Sequence, residues 1–544
     1  MSVDLLQQAM QHHQAGELQK AGQIYQQILA NKPDHADANH LLGLIAHQCG
    51  NHDVALQLVS TAIQSNPSNH IYLCNLGLIH IALQQWDNAI TDFQTAIKFH
   101  HGDIKAHINL GLALEKKERA EEAIASYQQA LSLNPADTET LNKLGNLYAQ
   151  LKRIDLATAS FKQALQLSPG SLATLNNLGI MFRDLKQAEQ AITYYQKALK
   201  IAPENVAILC NLAITLQDTG ELQKAEVICQ QALAYDPSYA EVYKQLTDNL
   251  LFQQRTTDWN AMLDTALEQA TLSAASRNHM FISKAIIAWM NGNNHQCSEF
   301  LDSAKSILSQ PVTDKLTYSA LGYYKFLQAL VQFRSKQPSL YSQPVERDIH
   351  IIGDSHSLSY AGTILKFEGK ASRVIPHLIM GCKAWHLSQD KGNRFKASFD
   401  CVLQQLSDKD TVIISMGEID CRTDEGIFPA HKKNGNDLSA SIETLVDSFV
   451  AYILDKCEKK NLEVIFYGVP APACTLKHLS SNDKSTYLRT VQLFNRFLSQ
   501  AAQASSCKFI DTYRKTVAED GSSNKKHHLD LFHLAPDFLS NCLH

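Results

Sequence analysis

A period of 34 residues runs through the N-terminal part of this 544-residue chain and restricts the folds open to it. Each unit carries a small residue, an alanine twelve residues later, and in most units a closing proline. Small side chains let two antiparallel helices approach closely, and proline ends the second helix. The period therefore predicts stacked helix pairs. The small residues are Ala9, Gly43, Gly77, Gly111, Gly145, Gly179 and Ala213.

In all units but the first, a second alanine follows seven residues after the first one. Most units carry a bulky residue between these two positions, where it can fill the gap between the paired helices. These residues are Tyr25, Phe93, Tyr127, Phe161 and Tyr195. The whole pattern resembles tetratricopeptide (TPR) repeats, in seven units over about residues 2–239. The resemblance implies an all-α superhelix in residues 1–239, with an extended concave surface that binds a protein or peptide ligand.

Asparagine is the sixth residue of four of the seven units, at Asn75, Asn109, Asn177 and Asn211, a position expected on the first helix and facing the concave groove. The array is in this respect similar to that of the O-linked N-acetylglucosamine transferases, whose asparagine ladder holds a peptide backbone. A primary amide donates and accepts hydrogen bonds at once, so a row of them can pair with an extended chain. The alternative is that these polar residues only solvate an exposed face.

Periodicity fades over residues 240–345, although helical patterning persists. A degenerate eighth unit is indicated by Ala285, Cys297, Ala304 and Pro311. The last unit of an array needs a cap for its outer apolar face. We therefore interpret this segment as a cap and connector, followed by a proline-bearing linker at residues 334–344.

Short apolar β-rich runs alternate with amphipathic helical windows over residues 346–544. Near-continuous apolar strands suit a parallel sheet covered on both faces, so we expect a three-layer α/β domain. The predicted strands are Asp348–Ile352, Ser372–Ile375, Thr411–Met416, Glu463–Tyr467 and Lys508–Ile510. The predicted helices are Leu358–Phe367, Phe395–Leu406, Leu438–Lys459, Lys484–Ala504 and Pro536–Cys542.

The first of these strands leads into Gly353-Asp354-Ser355. A serine at such a strand-to-helix turn has its hydroxyl beside free backbone N–H groups, as a nucleophile for acyl transfer requires. Asp and Ser are also common helix caps, which is the simpler alternative. Ligands on parallel sheets bind at the carboxyl ends of the strands, where this turn lies.

Residues 348–544 resemble the SGNH/GDSL hydrolase family. Gly353-Asp354-Ser355 matches its first block, and Asp530-x-x-His533 matches its last. The resemblance implies a flavodoxin-like fold and a catalytic triad of Ser355, His533 and Asp530. In such a triad an imidazole takes the proton of the serine, and a carboxylate orients the imidazole.

The middle blocks match this family less well. Gly381 is the candidate for the glycine N–H of the oxyanion hole. The third block normally carries an asparagine that donates to the oxyanion, but Gly417-Glu418-Ile419-Asp420 has isoleucine there. One missing donor is worth about 10²–10³ in rate.

Three explanations remain open for the missing donor: another group replaces it, the substrate needs less help, or the domain is inactive. Arg422 is the nearest replacement in the sequence, with Glu418 and Asp420 to orient it. These three residues are otherwise an ordinary surface salt-bridge cluster.

Composition excludes several classes of function. The net charge of −5 and pI near 6.5 do not favour nucleic-acid binding. The N-terminus lacks the features of a signal peptide, and no apolar run is long enough to span a membrane, so we expect a cytoplasmic protein. Neither metal-ligand spacing nor a nucleotide-binding motif is present, so no metal or cofactor is expected.

Two functions follow from these patterns. The first is a serine-dependent esterase or O-acyl transfer enzyme, acting on an acylated glycan or glycosylated protein that the TPR array recruits. Bacterial SGNH-like domains joined to other modules often add or remove acetyl groups on carbohydrates. The alternative is a TPR protein-binding scaffold whose SGNH-like domain is catalytically inactive.

Overall fold

The computed structural model describes residues 2–269, 271–309, 315–422, 426–434, 437–472, 479–519, 521–530 and 533–543. The chain divides into two compact units, Met1–Pro203 and Glu204–His544. Within the described ranges, the helices lack the combination of length and apolar character that a membrane crossing requires.

The first unit consists of six antiparallel helix pairs, as the 34-residue period predicts. A side chain at the start of most first helices accepts a hydrogen bond from a free backbone N–H, at His35, Asn69, Asp103, Asp137 and Ser171. The helices are α1 (Ser2–Gln14), α2 (Leu18–Asn31), α3 (Ala36–Gln48), α4 (His52–Ser65), α5 (His70–Ala82), α6 (Trp86–Phe99), α7 (Ile104–Lys116), α8 (Ala120–Leu133), α9 (Thr138–Gln150), α10 (Ile154–Leu167), α11 (Leu172–Asp184) and α12 (Ala188–Ile201).

Steric fit explains the repeat. A Cβ added to Gly77 would lie 2.7 Å from the ring of Phe93, and one added to Gly179 would lie 2.3 Å from the ring of Tyr195. Both rings are fully buried. The small residue of each unit therefore provides the space that the bulky residue of its partner helix fills, which confirms the predicted role of both columns.

The second unit begins with helices as well. The pair α13/α14 is the seventh predicted repeat, and α17/α18 includes the predicted degenerate unit, in which Ala285, Cys297 and Ala304 are buried. Pro311 lies outside the described residues. The helices are α13 (Val206–Asp218), α14 (Leu222–Tyr235), α15 (Ala240–Phe252), α16 (Thr256–Gln269), α17 (Ala274–Met290), α18 (Asn294–Ser303) and α19 (Lys315–Lys336).

A six-stranded mixed sheet follows. Its spatial order is β2-β3-β1-β4-β5-β6, and the five strands β3, β1, β4, β5 and β6 are parallel. The strands are β1 (Arg347–Gly353), β2 (Ile364–Phe367), β3 (Lys370–Leu378), β4 (Thr411–Ser415), β5 (Glu463–Tyr467) and β6 (Lys508–Ile510).

One edge of the sheet contradicts the prediction of an entirely parallel sheet. Part of the predicted helix Leu358–Phe367 is instead β2, which pairs antiparallel with β3. The connecting residues Glu368 and Gly369 both have positive φ, at 50° and 83°, as a two-residue hairpin turn requires. Their Glu-Gly sequence is not one that normally marks such a turn, which explains the error.

Long helices cover one face of the sheet. Residues of α22 (Arg394–Gln405), α24 (Leu438–Glu458) and α25 (Ser481–Ala504) share a core with alternate residues of β1, β4 and β5. The shorter helices are α20 (His356–Ser359), α21 (Ala384–Ser388), α23 (Ile427–Asn434) and α26 (Thr512–Thr516).

The opposite face departs from the predicted three layers. Tyr360, Leu534, Phe538 and Leu539 pack there. The predicted helix Pro536–Cys542 is wrong, because this segment forms consecutive turns with i→i+3 hydrogen bonds such as Cys542 N to Leu539 O.

The connector helices pack directly on the sheet domain. Phe252 meets Phe395 edge-on, with ring centroids 5.8 Å apart. The Gln254 amide donates to Leu378 O at 3.0 Å, and the Trp289 indole donates to Leu358 O at 2.8 Å. The predicted boundaries at residues 239 and 345 remain predictions, but helices on both sides of residue 239 share a core with the sheet.

Candidate active site

Ser355, His533 and Asp530 lie together at the carboxyl end of β1. The Ser355 Oγ is 2.9 Å from His533 Nε2, and His533 Nδ1 is 2.8 Å from Asp530 Oδ2. The His533 backbone N–H also donates to Asp530 Oδ1 at 2.7 Å, a second contact between these two residues. An imidazole held in this way can accept the serine proton on one nitrogen while its other nitrogen is oriented by the carboxylate.

Gly353 is required by close packing and not by an unusual turn. A Cβ at this position would lie 2.2 Å from Ser415 O on the neighbouring strand β4. The glycine therefore lets β1 and β4 run side by side up to the point where the serine emerges.

The turn after Gly353 is braced by Asp354. Its Oδ1 accepts from the His356 backbone N–H at 3.0 Å and lies 3.1 Å from His356 Nδ1. Ser355 itself makes no capping hydrogen bond to α20, so the helix-cap alternative is wrong for this residue. Burial alone would raise the pKa of the Asp354 carboxyl, but the hydrogen bonds from His356 bring it below its ordinary value.

Burial also sets the protonation state of the candidate base. Ser355 and His533 are only 9% and 8% exposed. Burial lowers the pKa of His533 below its ordinary value, although the hydrogen bond with Asp530 opposes this effect. His533 is therefore neutral at pH 7, as a general base must be.

Gly381, the candidate residue of the second block, lies at the same edge of the sheet. Gly381 follows β3, the neighbour of β1, and its φ of +71° favours glycine. The structure thus places Gly381 near the carboxyl end of β1, and its role as an oxyanion donor stays a prediction.

Glu418 and Asp420, the two acidic residues of the third block, bind different partners. Glu418 pairs with Arg422 through contacts of 2.9 Å to Nε and 2.7 Å to the terminal nitrogen. Asp420 instead accepts hydrogen bonds from the backbone N–H groups of Ala384 and Trp385, at 2.7 and 3.1 Å. Asp420 therefore holds the start of α21 in the second block. The prediction that Glu418 orients Arg422 is therefore supported. Asp420, in contrast, is engaged by the backbone of α21.

Two residues of α19 complete the surroundings of the triad, and sequence reasoning missed both. The ring of Phe326 stacks on His533, with centroids 3.6 Å apart and an interplanar angle of 15°. The Tyr323 hydroxyl shares a hydrogen bond with the Ser355 side chain. The sequence shows an aromatic amphipathic helix here, but no spacing relates these two residues to a serine about thirty residues later.

A small cavity lies beside the residues that flank Ser355. It is lined by Asp354, His356, Ser415, Met416, Glu418, Tyr467, Gly468, Val469 and Pro470. Asp354, His356 and Glu418 each offer one potential metal ligand within 4.8 Å of the others, a set that sequence spacing does not indicate. Asp354 is already engaged with His356, and Glu418 with Arg422, so a cation would have to displace these contacts.

The four asparagines of the predicted ladder are half-buried, on α5, α7, α11 and α13. Asn75 has one observed side-chain contact, 2.7 Å from its Nδ2 to His40 Nε2. Each is on the first helix of its pair, as predicted.

Comparison with protein families identifies the helical part. Tetratricopeptide-repeat models match residues 12–73, 137–204 and 182–250, and a TPR-repeat model matches residues 116–152. The N-terminal helix pairs are tetratricopeptide repeats. Such repeats indicate a protein-binding scaffold. Comparison with curated proteins finds no match.

Comparison with solved structures finds several that are similar to part of this chain. MamA is 21% identical over 30% of this chain and 97% of its own, with a TM-score of 0.29. YrrB, described as "a TPR protein with an unusual peptide-binding site", is 20% identical over 34% of this chain and 95% of its own, with a TM-score of 0.31. A TPR protein from Parabacteroides merdae is 16% identical over 47% and 99%, with a TM-score of 0.38.

Proposed function

We propose that residues 346–544 form a serine-dependent esterase or O-acyl transfer enzyme of SGNH type. The observation that carries the proposal is the 2.9 Å contact between Ser355 Oγ and His533 Nε2, with Asp530 on the opposite ring nitrogen. Three residues from the two ends of a 200-residue segment meet in the geometry that nucleophilic catalysis needs.

The chemistry follows from this geometry. Ser355 Oγ attacks the ester carbonyl carbon while its proton passes to His533 Nε2, and the backbone N–H groups of Ser355 and Gly381 stabilise the oxyanion. The intermediate collapses as His533 returns the proton to the leaving alcohol, which gives an acyl-Ser355. Water, or the hydroxyl of an acceptor, then attacks the acyl group with His533 again as base. The bond to Ser355 Oγ breaks, His533 returns the proton to that oxygen, and the free acid or the new ester leaves.

The strand order supports the SGNH-type assignment. Counted along the chain, the five parallel strands have the order 2-1-3-4-5, which is a doubly wound arrangement. In such sheets ligands bind where the order reverses, which is between β1 and β4. Ser355 and Gly381 follow the two strands on one side of that point.

The substrate class follows from the combination of domains. We propose an acylated glycan, or a glycosylated protein whose polypeptide lies in the TPR groove. The half-buried amides of Asn75, Asn109, Asn177 and Asn211 would bind its backbone, as in the O-linked N-acetylglucosamine transferases. An enzyme for small soluble esters would have no use for seven repeats.

A second candidate is a TPR scaffold with an inactive SGNH-like domain. The family comparisons favour it, because they match only the repeats. Ile419 also favours it: the side chain is 7% exposed and apolar, and it cannot donate to an oxyanion.

Labelling with an active-site fluorophosphonate separates the two candidates. We expect the wild-type protein to be labelled and to hydrolyse p-nitrophenyl acetate, and Ser355→Ala to do neither. Ser359→Ala is the matched control, because Ser359 is buried nearby on the same turn and its Oγ has no partner among the described residues. Absence of labelling in the wild type would exclude the esterase and leave the scaffold.

The groove is tested separately. Replacement of all four ladder asparagines by alanine should reduce the proteins retained by the immobilised full chain. A control variant with Asn31→Ala and Asn88→Ala, two exposed asparagines on second helices, should retain them. Equal retention by both variants would argue against the ladder.

A further inference from the structure

We propose that Tyr323 on α19 supplies the oxyanion hydrogen bond that Ile419 cannot, so that the active site is shared between the sheet domain and the helix before it. This inference rests on the proposed esterase or acyl-transfer function. It assigns the replacement donor to a residue that precedes the SGNH-like segment.

Two contacts one turn apart hold this face of α19 against the triad. The Tyr323 hydroxyl shares a hydrogen bond with Ser355, and the Phe326 ring stacks on His533 at 3.6 Å. Residues three apart on a helix lie on the same face, so one side of α19 contacts both reacting residues. Phe326 is 1% exposed, which excludes water from that side of the imidazole.

The position of the Tyr323 hydroxyl suits an oxyanion donor. During acylation the oxyanion forms on the carbon that is bonded to Ser355 Oγ, and an effective donor lies about 3 Å from it. A hydroxyl that contacts Oγ before the reaction is within reach of that oxygen once the carbonyl arrives. It then exchanges one hydrogen bond for a stronger one to a negative charge, without releasing its proton.

The protonation state of Tyr323 agrees with this role. Burial raises the pKa of its hydroxyl well above the ordinary value, and the nearby Asp354 carboxylate adds to this effect. The phenol therefore keeps its proton over the working range of pH. Arg422 acts on it in the opposite sense and makes the hydroxyl a better donor.

Arg422 is the rival candidate, and its geometry is less favourable. Its guanidinium holds the Glu418 carboxylate through two nitrogens, at 2.9 and 2.7 Å. This pairing directs two of its nitrogens at Glu418, whereas the Tyr323 hydroxyl interacts with the nucleophile itself.

The test compares rates of phosphonylation by a fluorophosphonate, whose phosphoryl oxygen occupies the oxyanion position in the adduct. Tyr323→Phe removes only the hydroxyl and should slow labelling of Ser355, and kcat on p-nitrophenyl acetate, by about 10²-fold. KM and the thermal unfolding midpoint should stay close to those of the wild type. Tyr324→Phe, the same change at the next residue of α19, should label at the wild-type rate.

Each outcome decides the matter. A slow Tyr323→Phe beside a normal Tyr324→Phe supports the donor role. A wild-type rate in Tyr323→Phe overturns it, and so does a faster rate, which would show that the hydroxyl obstructs the serine. A wild type that is not labelled at all refutes the proposed function itself, and is therefore distinct from failure of this inference alone.

Discussion

At the scale of single residues, the proposed function requires a neutral His533 for Ser355 to react. Burial lowers the pKa of His533 below its ordinary 6.5. Because the base must be neutral, activity should rise with pH and reach half its plateau below pH 6.5. The pH profile of kcat/KM for p-nitrophenyl acetate measures this limb, and a midpoint above 6.5 would contradict the burial argument.

Asp530 adds a second prediction for the same imidazole. Asp530 raises the pKa of His533, so Asp530→Asn should move the acidic limb to still lower pH. The plateau rate should fall by about 10²–10⁴, because the imidazole loses its preferred tautomer. A large fall in rate without a shift of the limb would mean that another group sets the limb.

Asp420 makes a prediction about stability. Burial raises the pKa of this carboxyl to about 6, whereas an unfolded aspartate titrates near 3.9. Between these values the folded state binds the proton more tightly, so this contribution to stability is complete below about pH 4 and is lost as the pH rises through about 6. The loss should amount to at most about 3 kcal/mol.

Urea unfolding at pH 4, 5, 6 and 7 tests this, with Asp420→Asn as the variant that cannot titrate. The free energy of unfolding of the wild type should decline relative to that of the variant as the pH rises. Parallel curves for the two proteins would show that Asp420 titrates normally.

At the scale of elements, sequence patterns were reliable where one local rule decides the structure. The 34-residue period gives the helix pairs, and the apolar runs give β4, β5 and β6 within a residue at each end. The hairpin of β2 was missed because Glu368-Gly369 is an uncommon turn sequence, and because its apolar residues also suit a helix.

The candidate site shows the same limit. Motif spacing indicated Ser355, Asp530 and His533 as candidate residues, and the structure places their side chains in contact. Tyr323 and Phe326 could not be found in this way, because their place depends on how α19 docks on the sheet domain. Docking is decided by tertiary contacts such as those of Gln254 and Trp289, and these leave no periodic trace in the sequence.

The Trp289 contact gives a prediction for this docking. The indole is fully buried and donates to Leu358 O, three residues after the nucleophile. Trp289→Phe would remove the indole donor and leave the carbonyl with backbone donors such as the Ala361 N–H at 3.3 Å. It should therefore lower the free energy of unfolding by about 0.5–1.5 kcal/mol. Trp385→Phe is the control, because Trp385 is 49% exposed. Equal urea midpoints for the two variants would show that the indole contact contributes little.

At the scale of the whole molecule, the compact unit that carries the candidate site is larger than the segment of residues 346–544. The compact unit starts at Glu204, and its main core joins Leu222 and Phe252 to the helices that cover the sheet. Removal of residues 204–345 would expose this apolar surface, and burial of a single Leu or Phe is worth about 1.5–3 kcal/mol. It would also remove Tyr323 and Phe326 from the triad.

Two fragments test this. A fragment of residues 204–544 should fold and be labelled by a fluorophosphonate at the rate of the full chain, because it keeps every described contact of the triad. A fragment of residues 346–544, cut at the boundary that the sequence suggests, should aggregate or label far more slowly. If the shorter fragment folds and reacts at the full rate, then α19 has no part in catalysis and the hydrolase-like segment is sufficient. If neither fragment reacts while the full chain does, then the first six repeats contribute to the reactive state of Ser355 in a way that the second unit alone does not reproduce.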